Sequence, residues 1–257
     1  MSAASWIKRP RPRPDARARL FCVPHAGAGP SYFARWVAEA PPDIEVCLVH
    51  LPGREARLSE LPLDDLTAIA GRVAEEAGPL LDLPFAFLGH SMGAVIAYEA
   101  VYRLPAEPRR LFASASPPPH RLIEEPAISH LPDADFLAEV RRAYEGIPDA
   151  IWNDAQMMRV MLPSMRADFA AYETYTWTER PPLNCPITAL GGSDDALVPA
   201  DSIARWAELT SGDCETRIFD GGHFYLTAER DVVQRLVAGA LRPTPEARQA
   251  LSTGMER

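Results

Sequence analysis

The sequence predicts an α/β fold, a mostly parallel central sheet with helices on both faces and a helical insertion. Three observations predict it. Short apolar runs of strand length alternate with stretches of helical periodicity from Leu20 to Leu241, the pattern of parallel strands joined by crossover helices. The alternation breaks once, between Pro117 and Pro182, where prolines cluster at both ends and no strand candidate intervenes. Finally, 257 residues with 47% hydrophobic content suffice for one large core, and there is no internal repeat or second core. One domain over residues 20–242 is therefore expected, with the insertion at about 117–182.

The first nineteen residues, MSAASWIKRPRPRPDARAR, carry Lys8, Arg9, Arg11, Arg13, Arg17 and Arg19 against Asp15 alone, although the whole chain has a net charge of −9. A transit peptide or a nucleic-acid arm would use such charge. The segment has neither the apolar core of a secretory signal nor amphipathic spacing, so residues 1–19 are expected to form a flexible basic terminus and to bind no nucleic acid.

The runs LFCVP and IEVCLVHLP predict the first two strands. They flank SYFARWVAEA, in which Tyr32, Phe33, Trp36 and Val37 recur at helical spacing. Leu66 to Leu81 predicts a helix with Ile69, Val73 and Leu80 on its apolar side. FAFLG then supplies a strand and Met92 to Leu104 a helix; RLFASAS, ITALGG and TRIFDGG complete the strands. Within the insertion, a helix opened by Asp133 or Asp135 as N-cap puts Phe136, Leu137, Val140 and Tyr144 on one side. A second, near IWNDAQMMRVMLPSM, gathers Met157, Met158, Met161 and Met165. Methionine suits surfaces that accommodate different shapes, and it equally suits an ordinary packed helix face. The last helix spans Asp231 to Leu241, and the tail 243–257 is expected to be loose.

No apolar run approaches the roughly 18 residues that cross a bilayer. The four cysteines, Cys22, Cys47, Cys185 and Cys214, lack Cys-x-x-Cys spacing and read as buried thiols of a soluble cytoplasmic protein. No metal site is expected.

The chemistry centres on Gly89-His90-Ser91-Met92-Gly93. This fits G-x-S-x-G, in which the serine occupies a strained strand-to-helix turn and the flanking small residues let backbones approach. The required context, an apolar strand before and an uninterrupted helix after, is present. The start of that helix offers free N–H groups to a developing oxyanion. A serine hydroxyl needs a base, itself oriented by a carboxylate, and in this setting the chain order is Ser, Asp, His. Of six histidines only His223 follows the acid candidates at SDDALVP. Asp195 lies further into that loop than Asp194, which is left capping or solvated, and Asp220 is too near His223 in sequence. The glycines of PHAGAG, 24–29, can turn a second donor inward, making the N–H groups of Ala26 and Met92 the expected oxyanion hole. A phosphate cradle is the weaker reading, since neither G-x-G-x-x-G nor a P-loop lysine is present.

The combination LFCVPHAGAG, LPGREARL, FAFLGHSMGA, SPPPH to SHLPDADFL, LPSMRADFAAYETY, GGSDDALVP and FDGGHFYL resembles the type II thioesterases that serve polyketide synthases and nonribosomal peptide synthetases, within the α/β-hydrolase fold. The resemblance spans about Leu20 to Leu241. It implies that Ser91 is the nucleophile, His223 the general base and Asp195 the orienting acid, under a helical lid formed by the insertion. It further implies that the enzyme removes aberrant or stalled acyl groups from the phosphopantetheine arm of a transiently docked carrier protein, has no cofactor of its own, and is a monomer. Met157, Met158, Met161 and Phe224 are the expected contacts to the acyl group. Gly93-Ala94 in place of paired glycines and Glu145 in place of glycine are departures that touch no triad position.

Carrier proteins are typically acidic, and so is this body, so docking calls for a local patch. Arg35, Arg54, Arg57, Arg109, Arg110 and Arg121 are its candidates, against the default of solvated arginine. The competing functional readings are another α/β hydrolase acting on small esters, a macrocyclising or acyl-transferring thioesterase, and a noncatalytic ligand-binding scaffold.

Overall fold

The computed structural model describes residues 5–122, 126–144 and 152–242. Its sheet is built from β1 (Ile7–Lys8), β2 (Ala18–Val23), β3 (Ile44–Val49), β4 (Phe85–His90), β5 (Arg110–Ser114), β6 (Ile187–Gly192) and β7 (Cys214–Phe219). The strand order is β1-β3-β2-β4-β5-β6-β7. All neighbours are parallel except β1, which runs antiparallel to β3 at one edge. The interior strands are buried along nearly their whole length, which is why they read as unbroken apolar runs rather than alternating ones.

Alternate side chains supply the two layers. Phe21, Val23, Cys47, Phe85, Phe87, Leu111 and Ile187 pack on one face with α2 (Leu66–Ala77) and α3 (Met92–Val101). Leu20, Cys22, Val46, Leu48, Leu88 and Phe112 pack on the other with α1 (Ala34–Glu39) and α7 (Arg230–Leu241). Every residue of α3 is buried, as a helix that starts at the centre of the sheet requires. Between β6 and β7 the chain adds a short helix, α6 (Ala200–Ala204), and a 3-10 turn that buries Trp206.

Residues 5–19 are not a loose leader. Trp6 and Ile7 are 6% and 5% exposed, and Ile7 pairs with Val49. Arg57 lies 4.6 Å over the Trp6 ring. Arg9 Nε and Arg19 Nε donate to the two oxygens of the fully buried Glu45 at 2.7 and 2.9 Å. Two of the six positive charges in this stretch, those of Arg9 and Arg19, are thus paired with one acid on β3. Residues 1–4 and the tail 243–257 lie outside the described residues.

The insertion contributes α4 (Asp133–Ala143) and α5 (Ala155–Glu173). Pro132, not an aspartate, stands at the N-cap of α4. Asp133 and Asp135 occupy its first turn, where the helix dipole favours them, and Asp133 also accepts from Arg166 Nη2 at 2.7 Å. Asp154 caps α5 by accepting from the Gln156 and Met157 amides. Phe136, Val140, Met158 and Met165 form a small core of their own between the two helices. Glu145 lies outside the described residues.

Cys22, Cys47 and Cys185 are buried and Cys214 half-buried, all as free thiols. Burial pushes Cys47 and Cys185 up to about 12, so both are inert thiols.

Candidate active site

At the end of β4 the chain must reverse into α3 within one residue, and Ser91 does this at φ 55°. Such a conformation in a non-glycine residue costs on the order of 1–3 kcal/mol and persists only where its surroundings enforce it. Here the Ser91 N–H donates to the Ser114 carbonyl at 2.7 Å, and the Ser91 carbonyl accepts from Ala94 N–H at 2.9 Å. The flanking glycines make room: a Cβ on Gly89 would collide with the Gly93 carbonyl, and one on Gly93 with the carbonyls of Val23 and Pro24. The hydroxyl therefore stands clear of both strand and helix.

Two other loops close on it from the carboxyl ends of β6 and β7. His223 Nε2 lies 3.0 Å from Ser91 Oγ, and His223 Nδ1 lies 2.8 Å from Asp195 Oδ2. The other carboxylate oxygen, Oδ1, accepts from the Leu197 and Val198 amides at 3.0 and 3.2 Å, so the acid is held from both sides. Asp194 and Asp220, by contrast, are exposed. The loops approach closely because Gly192 has no side chain to strike the carbonyls of Gly221 and Gly222.

Ser91, Met92, Ala26 and His223 border an apolar cavity of about 100 Å³. Met92 is the first residue of α3, so its N–H has no partner within the helix and is free for an oxyanion. Val140, Tyr144, Met165, Phe169 and Tyr172 of the insertion line the cavity together with Leu197, Val198 and Phe224.

Two further imidazoles crowd His223. The His90 and His223 ring centroids are 5.5 Å apart, and His25 packs on His90 at 5.8 Å. Burial, reinforced by the nearby His223, holds His90 well below its ordinary value of 6.5. Burial likewise lowers His25 to about 4, despite the bond from its Nδ1 to the Ala26 carbonyl at 2.9 Å. His90 Nδ1 is hydrogen-bonded to Ser114 Oγ at 2.9 Å, which meets Tyr225 Oη at 2.6 Å. Burial thus favours the neutral form of both imidazoles packed around His223.

A thioesterase-domain family model matches residues 18–240. The chain belongs to the thioesterase family. This thioesterase is 40% identical over 225 residues to the gramicidin S biosynthesis protein GrsT of Aneurinibacillus migulanus, a match covering 86% of the chain and 88% of GrsT. Among solved structures it superposes on the type II thioesterase BorB of the borrelidin biosynthetic cluster with a TM-score of 0.83 and 34% identity, over 94% of this chain and 98% of BorB. RedJ, a thioesterase of the prodiginine pathway in Streptomyces coelicolor, gives 0.81 and 35%, over 88% and 86%. The thioesterase has the α/β-hydrolase fold of these proteins, groups with the type II enzymes of polyketide and nonribosomal peptide pathways, and is a hydrolase of thioesters.

Not every residue expected at the acyl site of the thioesterase is there. Met157 is 44% exposed on the outer face of α5, while Met158 is buried in the small core under α4 and Met161 packs beside it. None of the three borders the cavity; Met165 and Phe224 do. The inward positions of α5 are 165, 169 and 172, a spacing of four and three that puts Met165, Phe169 and Tyr172 on one stripe. Density of methionine was the misleading signal; the aromatic residues in phase with Met165 were the better one. Arg54 and Arg57 are also unavailable for a docking patch, being 5% and 3% exposed, whereas Arg35, Arg109 and Arg121 are exposed and Arg110 is half-buried on Thr188.

Among the described residues no group of His, Cys, Asp and Glu is arranged to hold a metal ion, and no helix is long and apolar enough to cross a membrane.

Proposed function

We propose that this thioesterase hydrolyses aberrant or stalled acyl groups from the phosphopantetheine arm of acyl or peptidyl carrier proteins, with Ser91 as nucleophile, His223 as general base and Asp195 as the group that orients it. The observation that carries this reading is the continuous hydrogen-bonded chain from Ser91 Oγ through His223 to Asp195, opening into an apolar cavity under the insertion.

His223 Nε2 takes the Ser91 proton as Oγ attacks the thioester carbonyl, and the N–H groups of Ala26 and Met92 receive the oxyanion. Collapse of the tetrahedral adduct breaks the C–S bond, and the imidazolium of His223 protonates the departing pantetheine sulfur. A thiol of ordinary pKa about 8.5 leaves far more readily than an alkoxide, so acylation is the easier half. Water, deprotonated by the same imidazole, then attacks the Ser91 ester, and the acid leaves with Ser91 reprotonated.

An apolar cavity of about 150 Å³ holds benzene, so the space of about 100 Å³ beside Ser91 suits an acyl tail of a few carbons. The phosphopantetheine arrives with its carrier, so the enzyme needs no cofactor of its own, and the carrier is a transient partner of a monomer. The free thiols fit the reducing cytoplasm where the synthases work.

The test is a panel of carrier proteins bearing different acyl groups, incubated with wild type and with Ser91→Ala and read by mass spectrometry. Wild type is expected to return the free-thiol carrier, fastest for short acyl groups, and Ser91→Ala to leave every carrier acylated. Turnover by Ser91→Ala, or a preference of wild type for oxygen esters of the same acyl groups, would overturn the reading.

A further inference from the structure

The loop 25–29 carries Ala26 into the cavity, and the peptide that joins Ala26 to Gly27 is held at both ends. The Ala26 carbonyl accepts from His25 Nδ1 at 2.9 Å, and the Gly27 N–H donates to Asp168 Oδ2 at 2.6 Å. Asp168 lies 141 residues away in sequence, on helix α5 of the insertion, and is fully buried.

Its partner is Arg54, whose Nη1 and Nη2 donate to Oδ2 and Oδ1 at 2.5 and 2.8 Å. Arg54 Nη1 also reaches the Ala28 carbonyl and Nε the Pro52 carbonyl, each at 3.2 Å. One guanidinium and one carboxylate thus join the loop after β2, the loop after β3 and the covering helix. Arg54 and Asp168 are otherwise unused by the chemistry described above.

A buried ion pair is a poor device for stability alone, since apolar residues of similar volume commonly do as well or better. What an apolar pair cannot do is accept an amide hydrogen. A carboxylate can take both guanidinium N–H groups and keep a lone pair for Gly27 N–H. The geometry therefore favours a role in orientation.

We propose that Asp168, seated on Arg54, is a positioning residue for the oxyanion hole: helix α5 holds the Ala26–Gly27 peptide so that the Ala26 N–H faces the reacting carbonyl. The inference rests on the assignment of Ala26 as an oxyanion donor. It makes seating of the covering helix and completion of the oxyanion hole a single event, because the helix that supplies Met165, Phe169 and Tyr172 to the acyl cavity also supplies Asp168 to the loop. An acyl group that prevents α5 from seating meets a serine with half of its electrostatic support.

The experiment uses the full chain with Asp168→Asn, with the charge-free pair Arg54→Met/Asp168→Leu, and with Arg54→Lys, each checked for folding by circular dichroism and thermal unfolding. Three quantities are measured: kcat and KM on an acyl-pantetheine thioester, affinity for a trifluoromethyl ketone of the same acyl group, and affinity for the acyl-pantetheine amide. The ketone adds Ser91 and places an alkoxide in the oxyanion hole; the amide does not. Loss of one oxyanion donor typically costs 10²–10³ in kcat. The two Asp168 variants are expected to lose about 10²-fold in kcat and in ketone affinity, with KM and amide affinity within about threefold of wild type. Arg54→Lys, which keeps a cation beside Asp168, is expected to lose about tenfold in the same two quantities, and it carries the test alone if the others do not fold. Ketone and amide affinities that fall in parallel, or a folded Asp168 variant with wild-type kcat, overturn the proposal. A wild type that binds the ketone no better than the amide refutes the oxyanion assignment itself, and this inference with it, while leaving the Ser91 test above intact.

Discussion

Asp195 shows how much of the site rests on single atoms. Its Oδ1 is committed to the Leu197 and Val198 amides, so Oδ2 alone faces His223. Asp195→Asn can keep the first pair of bonds but turns an NH₂ toward Nδ1, which forces the proton onto Nε2 and removes the base from Ser91. The expected result is a fall in kcat of about 10⁴-fold with thermal unfolding within about 2 °C of wild type; a loss below tenfold would show that Asp195 is not the orienting acid. At this scale the meeting of Ser91, Asp195 and His223 was legible because chain order and loop position can be read directly along the sequence. Ser91 sits in its pentapeptide, His223 is the sole histidine after the acid loop, and Asp195 beats Asp194 by its place in that loop. His25 and His90 carried no comparable signal, since what keeps them neutral is burial among Tyr32, Phe224 and Tyr225, residues remote in sequence from at least one of them.

Among the elements, α5 does the most separate jobs. Met165 is 2% exposed and belongs both to the small core with α4 and to the cavity wall. Met165→Ala is expected to cost about 2–5 kcal/mol locally and to lower the melting temperature by about 4 °C or more. It should also shift preference toward longer or branched acyl groups, measured by mass spectrometry on a mixed pool of acyl carriers. An unchanged acyl ranking would show that Met165 does not shape the site. The strands and the long helices were readable because burial on two faces, or on one helical stripe, writes its own period into the sequence. The phase of α5 was not. Which methionine turns inward is decided by Asp168 on Arg54 and Gly27, and by Arg166 on Asp133 and the Leu131 carbonyl, contacts that join distant segments.

For the molecule as a whole, the stretch from Trp6 to Arg19 is part of the fold. Removing residues 1–9 takes away Trp6 with its Arg57 contact, the Ile7 to Val49 pairing, and one of the arginines on Glu45. Thermal unfolding of this truncation is expected at a temperature lower by 5 °C or more, on the order set by losing a buried aromatic side chain; an unchanged midpoint would restore the picture of a loose leader. Sequence reasoning missed this because two residues of strand and one tryptophan are too short a pattern to outweigh six positive charges, and their acidic partner lies thirty-six residues on from Arg9. The same few residues have a bearing on how the protein behaves in crowded solution. An open sheet invites other chains to add strands at its edges. Here β1 occupies the edge of β3, and at the far side β7 turns exposed Glu215, Thr216 and Arg217 outward, with Glu215 and Arg217 paired at 2.8 Å. One border is shortened where Ile7 and Lys8 pair with Val49 and Leu48, and on the other Glu215 and Arg217 flank the edge beside the exposed Ile218, so the template left for strand-by-strand aggregation is short on one side and charged on the other.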